Sequence, residues 1–336
     1  MLERVKTGPS PPYHDAMDEL AGLLDGPRAR GAFLLRALLE PPWSLRVEDR
    51  APLTLVAVLR GDAWAVPGSG PPQRLGTHDV AIVRGPEPYL FADDPATPPQ
   101  VVIHPGQRCT TPDGRALGEE MRLGVRTWGN SCTGPTTMLV GTYQMTGEVS
   151  RRLLAALPAL AVLSQETSEL PVLGMLDDEI VKDRPGQEVV LDRLLDLLLV
   201  GVLRAWFSRP DGDAPAWYRA HADPVVGRAL RLLHTYPERP WTVAKLADAV
   251  GVSRAALARR FTERLGEPPM AYLTVWRLTL AADLLRDTDE TIGTIAGKVG
   301  YGSPFALSTA FKRERGVSPD QHRRGRTAYA ASSPVA

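Results

Sequence analysis

The chain has 336 residues, and its 39 basic side chains equal its 39 acidic ones in number. This length predicts two or three domains with separate cores, and the longest apolar run, residues 194–203, is too short for a transmembrane helix. The neutral total hides an asymmetry, because residues 224–336 hold 17 basic and 10 acidic side chains while the first 223 residues hold 22 and 29, a distribution typical of a C-terminal part that binds phosphate.

The N-terminal segment carries no recognisable secretory signal. Residues 1–14 are rich in proline and are predicted to be disordered, and a short amphipathic helix is expected over residues 15–24. The two cysteines lack CxxC spacing, which favours a reducing compartment. The expected location is therefore the cytoplasm, without membrane contact.

Short β-prone runs separated by turns follow, at residues 53–59, 63–66, 80–83, 88–91 and 101–103. Strands of this length and spacing predict a small antiparallel barrel or sandwich. Three helices are predicted next, over residues 149–157, 170–181 and 189–207. The last is apolar on more than one side and must bury both. One side is expected to pack on the barrel, and the other on a second protomer or within the same subunit. A flexible linker is predicted over residues 208–223.

The last hundred residues repeat one pattern of an apolar helix, a glycine turn, a serine and a second helix. The first copy has Leu246, Val250, Gly251, Ser253, Leu257 and Phe261, and the second has Ile295, Val299, Gly300, Ser303, Leu307 and Phe311. The offset is 49 residues up to the glycine and 50 after it. Serine suits a helix N-cap and glycine suits the left-handed turn before it, so each copy predicts a helix-turn-helix motif.

A helix predicted over residues 268–286 separates the two copies. About twenty residues at 1.5 Å each span roughly 30 Å, close to the 34 Å repeat of the major groove. One chain is therefore expected to place two recognition helices in successive groove segments.

The stretch GYGSPFALSTAFKRERGVSPDQHR is similar to the most diagnostic part of the AraC/XylS transcription regulators, and the resemblance covers residues 225–324. It implies a DNA-binding domain over residues 224–326 and a disordered tail over 327–336. The base-contacting candidates that it implies are Arg254, Ala255, Ala258, Arg259, Ser303, Ala306 and Thr309, with Lys312 and Arg313 also facing outward. Members of the family often have arginine where this chain has Thr309, so the first helix is expected to carry more of the polar readout.

The N-terminal half resembles the cupin-type sensory domains that precede many AraC-type DNA-binding domains, in pieces such as VLRGDAWAV and HDVAIVRGPEPYLF. The resemblance implies an effector-binding domain over residues 15–147 and a dimerisation region over 148–207. The expected fold is thus α+β and multidomain, with a cupin-like antiparallel β-barrel, flanking helices and an all-α domain holding two helix-turn-helix motifs.

Metal-dependent cupin chemistry is not supported by the histidine pattern. The six histidines are isolated and form no H-x-H pair: His14, His78, His104, His221, His234 and His322. Because the usual metal triad cannot be placed, no catalytic residue, metal or cofactor is expected. An enzyme, or a metal-binding sensor with an appended DNA-binding domain, is the alternative.

Two further sets of residues are candidates for effector sensing. The pocket candidates, which plain core packing explains as well, are Trp43, Val56, Val58, Trp64 and Ile82. Cys109 and Cys132 form a possible redox switch, in which His104 and Arg108 help to form a thiolate. The alternatives are two unrelated thiols, or a metal site made with His104.

The sequence therefore predicts a one-component transcription regulator rather than an enzyme. Its expected partners are double-stranded promoter DNA, RNA polymerase, a small-molecule effector or oxidant, and a second copy of the chain.

Overall fold

The computed structural model describes residues 33–145, 147–166, 170–209 and 214–330, with side chains up to residue 324. The predicted helix over 15–24 and the predicted disorder over 1–14 and 331–336 lie outside the described residues. Over the ranges described, two β-sheets come first and a helical domain follows. None of the helices in these ranges combines the length and the apolar character needed to cross a bilayer.

Thirteen strands in the described residues form two sheets. The seven-stranded sheet A has, in order, β10 (Arg122–Gly124), β11 (Thr127–Gly129), β1 (Phe33–Leu39), β12 (Thr136–Tyr143), β3 (Leu53–Arg60), β6 (Val80–Arg84) and β13 (Leu160–Leu163). The six-stranded sheet B has β5 (Gln73–Leu75), β4 (Ala63–Pro67), β7 (Tyr89–Ala92), β2 (Ser44–Val47), β8 (Val101–His104) and β9 (Arg108–Thr110).

The sheet-rich N-terminal domain is confirmed, but its pairing is not wholly antiparallel. β1 pairs with β11 in parallel, and so does β2 with β8. In both cases a strand returns to an earlier one after a long excursion of the chain, which brings the two strands together in the same direction. β13 joins the edge of sheet A beside β6, so the predicted helical region over 148–207 also contributes a strand.

The central strand β3 is buried on both faces. Val56 and Val58 point into the core between the sheets, whereas Leu53 and Leu55 point to the other face of sheet A, which helices cover. Successive side chains of a strand point to opposite faces, so a run of apolar residues without alternation fits a strand covered on both sides.

Eleven helices lie in the described residues. They are α1 (Glu148–Ala155), α2 (Val172–Ile180), α3 (Gln187–Phe207), α4 (Ala216–Ala220), α5 (Val226–Thr235), α6 (Val243–Val250), α7 (Arg254–Leu265), α8 (Pro269–Asp287), α9 (Ile292–Lys298), α10 (Pro304–Arg315) and α11 (Pro319–Ala330). The tail was predicted to be disordered from residue 327, but α11 continues to Ala330.

The C-terminal part of the predicted flexible linker is folded. α4 lies within it, and Trp217 and Ala220 of this helix are buried. The Trp217 ring packs edge-on against Phe207 at the end of α3, with 5.8 Å between ring centroids. Residues 214–223 thus form a packed connection between the domains, because their aromatic side chains pack against the end of α3.

One continuous apolar core links the two halves of the molecule. It runs from the helix-covered face of sheet A through α1 and α3 to the first helix-turn-helix, where it includes Phe261, Tyr272 and Trp276. A separate core holds the second helix-turn-helix around Phe311 and Leu285. Helix α8 contributes to both cores and so connects the two DNA-binding units.

Candidate DNA interface and effector site

The first helix-turn-helix is built by the expected capping groups. The Thr242 hydroxyl accepts a hydrogen bond from the Lys245 N–H at 3.2 Å, and α6 ends at Gly251 with φ of 76°. The Ser253 hydroxyl then accepts one from the Ala256 N–H at 3.2 Å and starts α7. These caps satisfy N–H groups that the helix itself leaves free.

The second unit repeats this arrangement. The Thr291 hydroxyl caps α9 and the Ser303 hydroxyl caps α10, accepting from Ala306 N–H at 3.1 Å. In the turn, Gly300 has φ of 80°, and a Cβ atom there would lie 2.8 Å from the Pro237 carbonyl oxygen. Only glycine fits both the conformation and the space.

The candidate base-contacting residues of α7 differ in accessibility. Arg254, Ala255 and Arg259 are exposed, while Ala258 is half-buried. Arg259 lies 3.8 Å from Glu263, but its side chain is 77% exposed. A solvent-exposed pair of this length contributes little, so the Arg259 guanidinium is available to a ligand.

The neighbouring Arg260 and Arg264 are held by a buried carboxylate. Asp223 accepts from Arg260 Nε at 2.8 Å, and Arg264 Nε lies 3.4 Å from the same oxygen. Its other oxygen accepts the N–H groups of Val225 and Val226 at the start of α5. Burial alone would raise the pKa of Asp223, but these N–H groups and Arg260 outweigh it and lower the pKa. An open cavity of about 440 Å³ lies beside α7, and Arg259, Arg260 and Arg264 form part of its lining.

On α10, Ala306, Thr309, Lys312 and Arg313 are exposed. Ser303 is half-buried, and its hydroxyl already serves as the helix cap. Sequence reasoning missed Phe305, which is 81% exposed on the same helix. The repeat contained the signal for it, because the offset of 50 that relates Ser253 to Ser303 also relates Ala255 to Phe305.

The spacer between the units is a single helix, α8, of 19 residues. At 1.5 Å per residue its length is about 28 Å. Tyr272, Leu273, Trp276 and Ala281 of this helix are buried, whereas Leu280 and Leu284 are only half-buried. The helix has two apolar faces because it packs on both cores.

The cupin-like domain contacts this spacer directly. Asp283 of α8 caps the start of α1, accepting from the Glu148 N–H at 2.7 Å and the Val149 N–H at 3.1 Å. Glu148 in turn binds Arg315, at the end of α10, with 2.8 Å between Nη1 and Oε2. Burial alone raises the pKa of Glu148, but Arg315 and Arg151 lower it below its usual range. These contacts are called the α1–α8 junction below.

A second contact of the junction involves the core of the first unit. The guanidinium of Arg152 lies 5.0 Å from the centre of the Tyr272 ring. The Tyr272 hydroxyl is 2.8 Å from Nε2 of His234, which also stacks on Trp276. Burial, followed by the charge of Arg152 and by His221, lowers the pKa of His234 to about 3. The imidazole is therefore neutral at physiological pH.

The five predicted pocket residues do not form one site. Trp43, Val56 and Val58 face the core between the sheets, but Ile82 faces the helices on the other side of sheet A. Trp64 alternates with the inward-facing Ala63 and Ala65 and is half-buried on the outer face of sheet B. The prediction that Ile82 and Trp64 line a pocket between the sheets was wrong. Strand periodicity assigns side chains to two opposite faces of a strand, but it does not show which face lies against the partner sheet.

Two cavities adjoin the core between the sheets. The inner one has only about 40 Å³ and is lined by Val56 together with Tyr89, Gln107 and Asp49 among others. The second is an open groove of about 500 Å³, with an apolar floor that includes Trp43, Leu45 and Met121. Ligand pockets usually measure 300–1,000 Å³, so of these two cavities the groove, and not the inner one, has the size for a small molecule.

Half of the groove's lining comes from the segment between the two cysteines. These residues are Thr111, Arg115, Leu117, Glu120, Met121 and Asn130. Cys109 is half-buried and Cys132 is exposed, and both are free thiols. Burial raises the pKa of Cys109, which opposes the predicted thiolate there, and His104 Nε2 lies 2.9 Å from the Thr110 hydroxyl. In the described part of the chain, no three His, Cys, Asp or Glu side chains form a metal-binding cluster.

Two capped helix-turn-helix units on one spacer, behind a double-sheet domain, define a bipartite DNA-binding protein with a separate N-terminal module. A cupin family profile matches residues 18–208, and a helix-turn-helix domain profile matches residues 246–325. An AraC-like transcription regulator of Streptomyces lividans is 32% identical over 314 residues, covering 92% of this chain and 98% of that protein. The chain belongs to the AraC family and is a DNA-binding transcription regulator with an N-terminal cupin domain.

This chain is also similar to a second full-length regulator and to a solved DNA-binding domain. The MtrA transcriptional regulator of Neisseria gonorrhoeae is 27% identical, with 92% of this chain and 98% of that protein covered. The crystal structure of the AdpA DNA-binding domain with a target DNA is 31% identical, covering 33% of this chain and 99% of that one, with a TM-score of 0.31.

Proposed function

We propose that this regulator reads two consecutive major-groove segments with α7 and α10, and that an effector bound by the cupin domain changes this reading through the α1–α8 junction. The observation that carries the proposal is the junction itself, where Asp283 and Arg315 of the DNA-binding domain bind the backbone and side chain of Glu148. Promoter DNA is the direct partner, and RNA polymerase is the proposed partner at the promoter.

Polar readout is assigned mainly to the first recognition helix. Arg254 and Arg259 have the donors for bidentate contacts with guanine, and Ala255 and Ala258 suit close approach to the groove. On α10, Ser303, Ala306 and Thr309 are the proposed base-facing residues, while Lys312 and Arg313 suit phosphate contacts. The domain's excess of basic side chains supports this assignment.

The Arg259→Ala variant tests the DNA interface. It is expected to weaken binding to a selected promoter duplex by about 1–3 kcal/mol, a factor of roughly 5–150, and to relax the preference at one base pair. Arg122→Ala is the matched control, since Arg122 is 71% exposed on the cupin domain and its substitution removes the same charge. Equal affinity and base preference of Arg259→Ala and wild type in a mobility-shift titration would exclude the contact.

The effector is assigned to the 500 Å³ groove rather than to the inner cavity. Its apolar floor suits a hydrophobic body, and its rim offers Arg115, Glu120 and Asn130 to a polar end. Arg115 and Glu120 bind each other at 2.6 Å, and both are more than half exposed. A small amphipathic molecule with an anionic or hydroxyl group would match this lining by replacing Glu120 as the partner of Arg115.

A thermal-shift screen with short aromatic and aliphatic carboxylic acids, and with diamide as an oxidant, tests the effector proposal. Any compound that raises the melting temperature is expected to change promoter affinity in wild type. The Leu117→Trp variant fills the groove and should lose that response. A diamide response instead requires Cys109 and Cys132, and the double Cys→Ser variant should remove it. A compound that acts equally on wild type and Leu117→Trp would place the effector elsewhere.

We assign dimerisation to the outer side of α2 and α3. Five of the eight large apolar side chains exposed in the described residues lie there: Met175, Val181, Val189, Val190 and Leu197. An exposed apolar patch of this kind is typical of a protein interface. A second copy of the chain is the proposed occupant, because a symmetric contact needs only this one self-complementary surface.

A further inference from the structure

The side chain of Phe305 is exposed to water and contributes little to the packing of the fold. It is 81% exposed, more than any other large apolar side chain in the described residues. Burial of a phenylalanine ring away from water stabilises a folded protein, and at this position the fold does not use that contribution. A binding partner that covers the ring would recover it.

The backbone of Phe305 is held firmly despite this exposure. Ser303 caps α10, and Pro304 occupies its first position, where the fixed φ of proline suits a helix. Pro304 also packs towards α9, since its Cγ would lie 3.5 Å from a Cβ atom at Gly293. The ring therefore projects from the first turn of α10, and the N-terminal residues of a recognition helix are those that approach base edges.

The face on which Phe305 lies is also the proposed DNA-binding face. Thr309 follows four residues later, and Lys312 and Arg313 follow at seven and eight, so all four share one side of the helix. All four are exposed. The two cations, about two turns further along the same side of the helix, complement phosphate and oppose docking on a basic protein surface, and this favours DNA as the partner.

The internal repeat shows how the two helices differ on this face. Where α7 has Ala255 and Arg259, α10 has Phe305 and Thr309 at the offset of 50. A guanidinium is lost from the second helix at one position, and a large apolar group is gained one turn earlier. The apolar group that the major groove presents is the C5-methyl of thymine.

We propose that Phe305 is a specificity-determining residue that recognises thymine by packing against its C5-methyl group in the groove segment read by α10. The inference rests on the proposed placement of α10 in the major groove. The two recognition helices then read different chemistry, with α7 selecting guanine through arginine and α10 selecting thymine through an aromatic ring.

The test begins with the full-length wild-type protein and a random duplex library, from which a preferred sequence is selected. Thymines of each half-site are then replaced by deoxyuridine, which lacks only the methyl group. Replacement in one half-site is expected to weaken wild-type binding about threefold to tenfold. Phe305→Ala should bind the thymine duplex with the same loss and show no further loss with deoxyuridine. Phe305→Leu should retain part of the discrimination.

Two controls separate this inference from the proposed function. Arg259→Ala should keep its response to deoxyuridine at the Phe305 half-site while losing its preference in the other half-site. If wild type selects a sequence but Phe305→Ala retains the full thymine preference, the role of Phe305 is overturned and the DNA interface stands. If wild type selects no sequence, the proposed readout and this inference both fail. Circular dichroism checks that Phe305→Ala is folded, as an exposed side chain allows.

Discussion

The Asp283→Asn variant tests the α1–α8 junction, which is the proposed route from the cupin domain to DNA. Asp283 accepts two backbone N–H groups from the start of α1 and lies 3.2 Å from Arg286. Asparagine keeps the size, but it has one acceptor oxygen instead of two and no charge. One of the two N–H groups of α1 then faces an amide NH₂ group.

The expected magnitude follows from these contacts. Loss of a side-chain helix cap costs about 0.5–2 kcal/mol, and the interaction of a carboxylate with a helix N-terminus contributes about 0.3–1 kcal/mol. Because Asp283 is only 19% exposed, screening removes little of this, and about 1–2 kcal/mol of local stability should be lost. That loss corresponds to a factor of roughly 5–30 in a local opening equilibrium.

Hydrogen–deuterium exchange of the full-length protein measures this opening directly. Peptides that contain Glu148 and Val149 should exchange about 5–30 times faster in Asp283→Asn. Asp287→Asn is the matched control, because Asp287 also binds Arg286 but is 58% exposed. Promoter affinity should change at least threefold in Asp283→Asn and not in Asp287→Asn. Unchanged exchange at α1 would refute the capping role, and faster exchange with unchanged promoter affinity would refute the coupling.

Two further predictions concern assembly and pH. Leu197 is 59% exposed on the proposed dimer surface, so Leu197→Glu places a charge there and should yield monomers in sedimentation velocity. Val125 is an exposed apolar residue on the cupin domain, and the control variant Val125→Glu should leave the dimer intact. A dimeric Leu197→Glu protein would exclude this surface. The lowered pKa of His234, about 3 against the usual 6.5, means that below pH 6.5 the unfolded chain binds a proton that the native chain does not. Stability should therefore fall by about 2 kcal/mol from this group between pH 7 and pH 5, and equal pH slopes for wild type and His234→Gln in urea unfolding would contradict it.

Local chemistry explains which parts of the fold were predictable. Ser253 and Ser303 cap helices as predicted, and Thr242 and Thr291 cap the first helix of each unit in the same way. Each of these side chains acts on an N–H group only a few residues away. Gly251 likewise adopts the predicted left-handed turn. The two helix-turn-helix units follow from such short-range interactions and from apolar spacing.

Long-range contacts explain what was missed. Asp283 and Glu148 are 135 residues apart in the sequence, and neither position carries a local pattern that points to the other. Ile82 lies in a strand that is apolar on both sides, so its periodicity could not tell the inner face from the helix-covered one. β13 is a four-residue strand between helices and gains its place only by pairing with β6.

The position of the junction suggests what an effector could change. Arg315 at the end of α10 binds Glu148, and its Nη2 also lies 3.4 Å from the Thr279 hydroxyl of α8. Arg152 of α1 meanwhile lies over Tyr272, in the core of the first unit. A movement of α1 would therefore act on both DNA-binding units through the helix that spaces them. Affinity for a complete site should respond more strongly than affinity for either half-site, because binding both at once requires their correct separation. Equal effector responses on full and half sites would show that α1 acts on one unit alone.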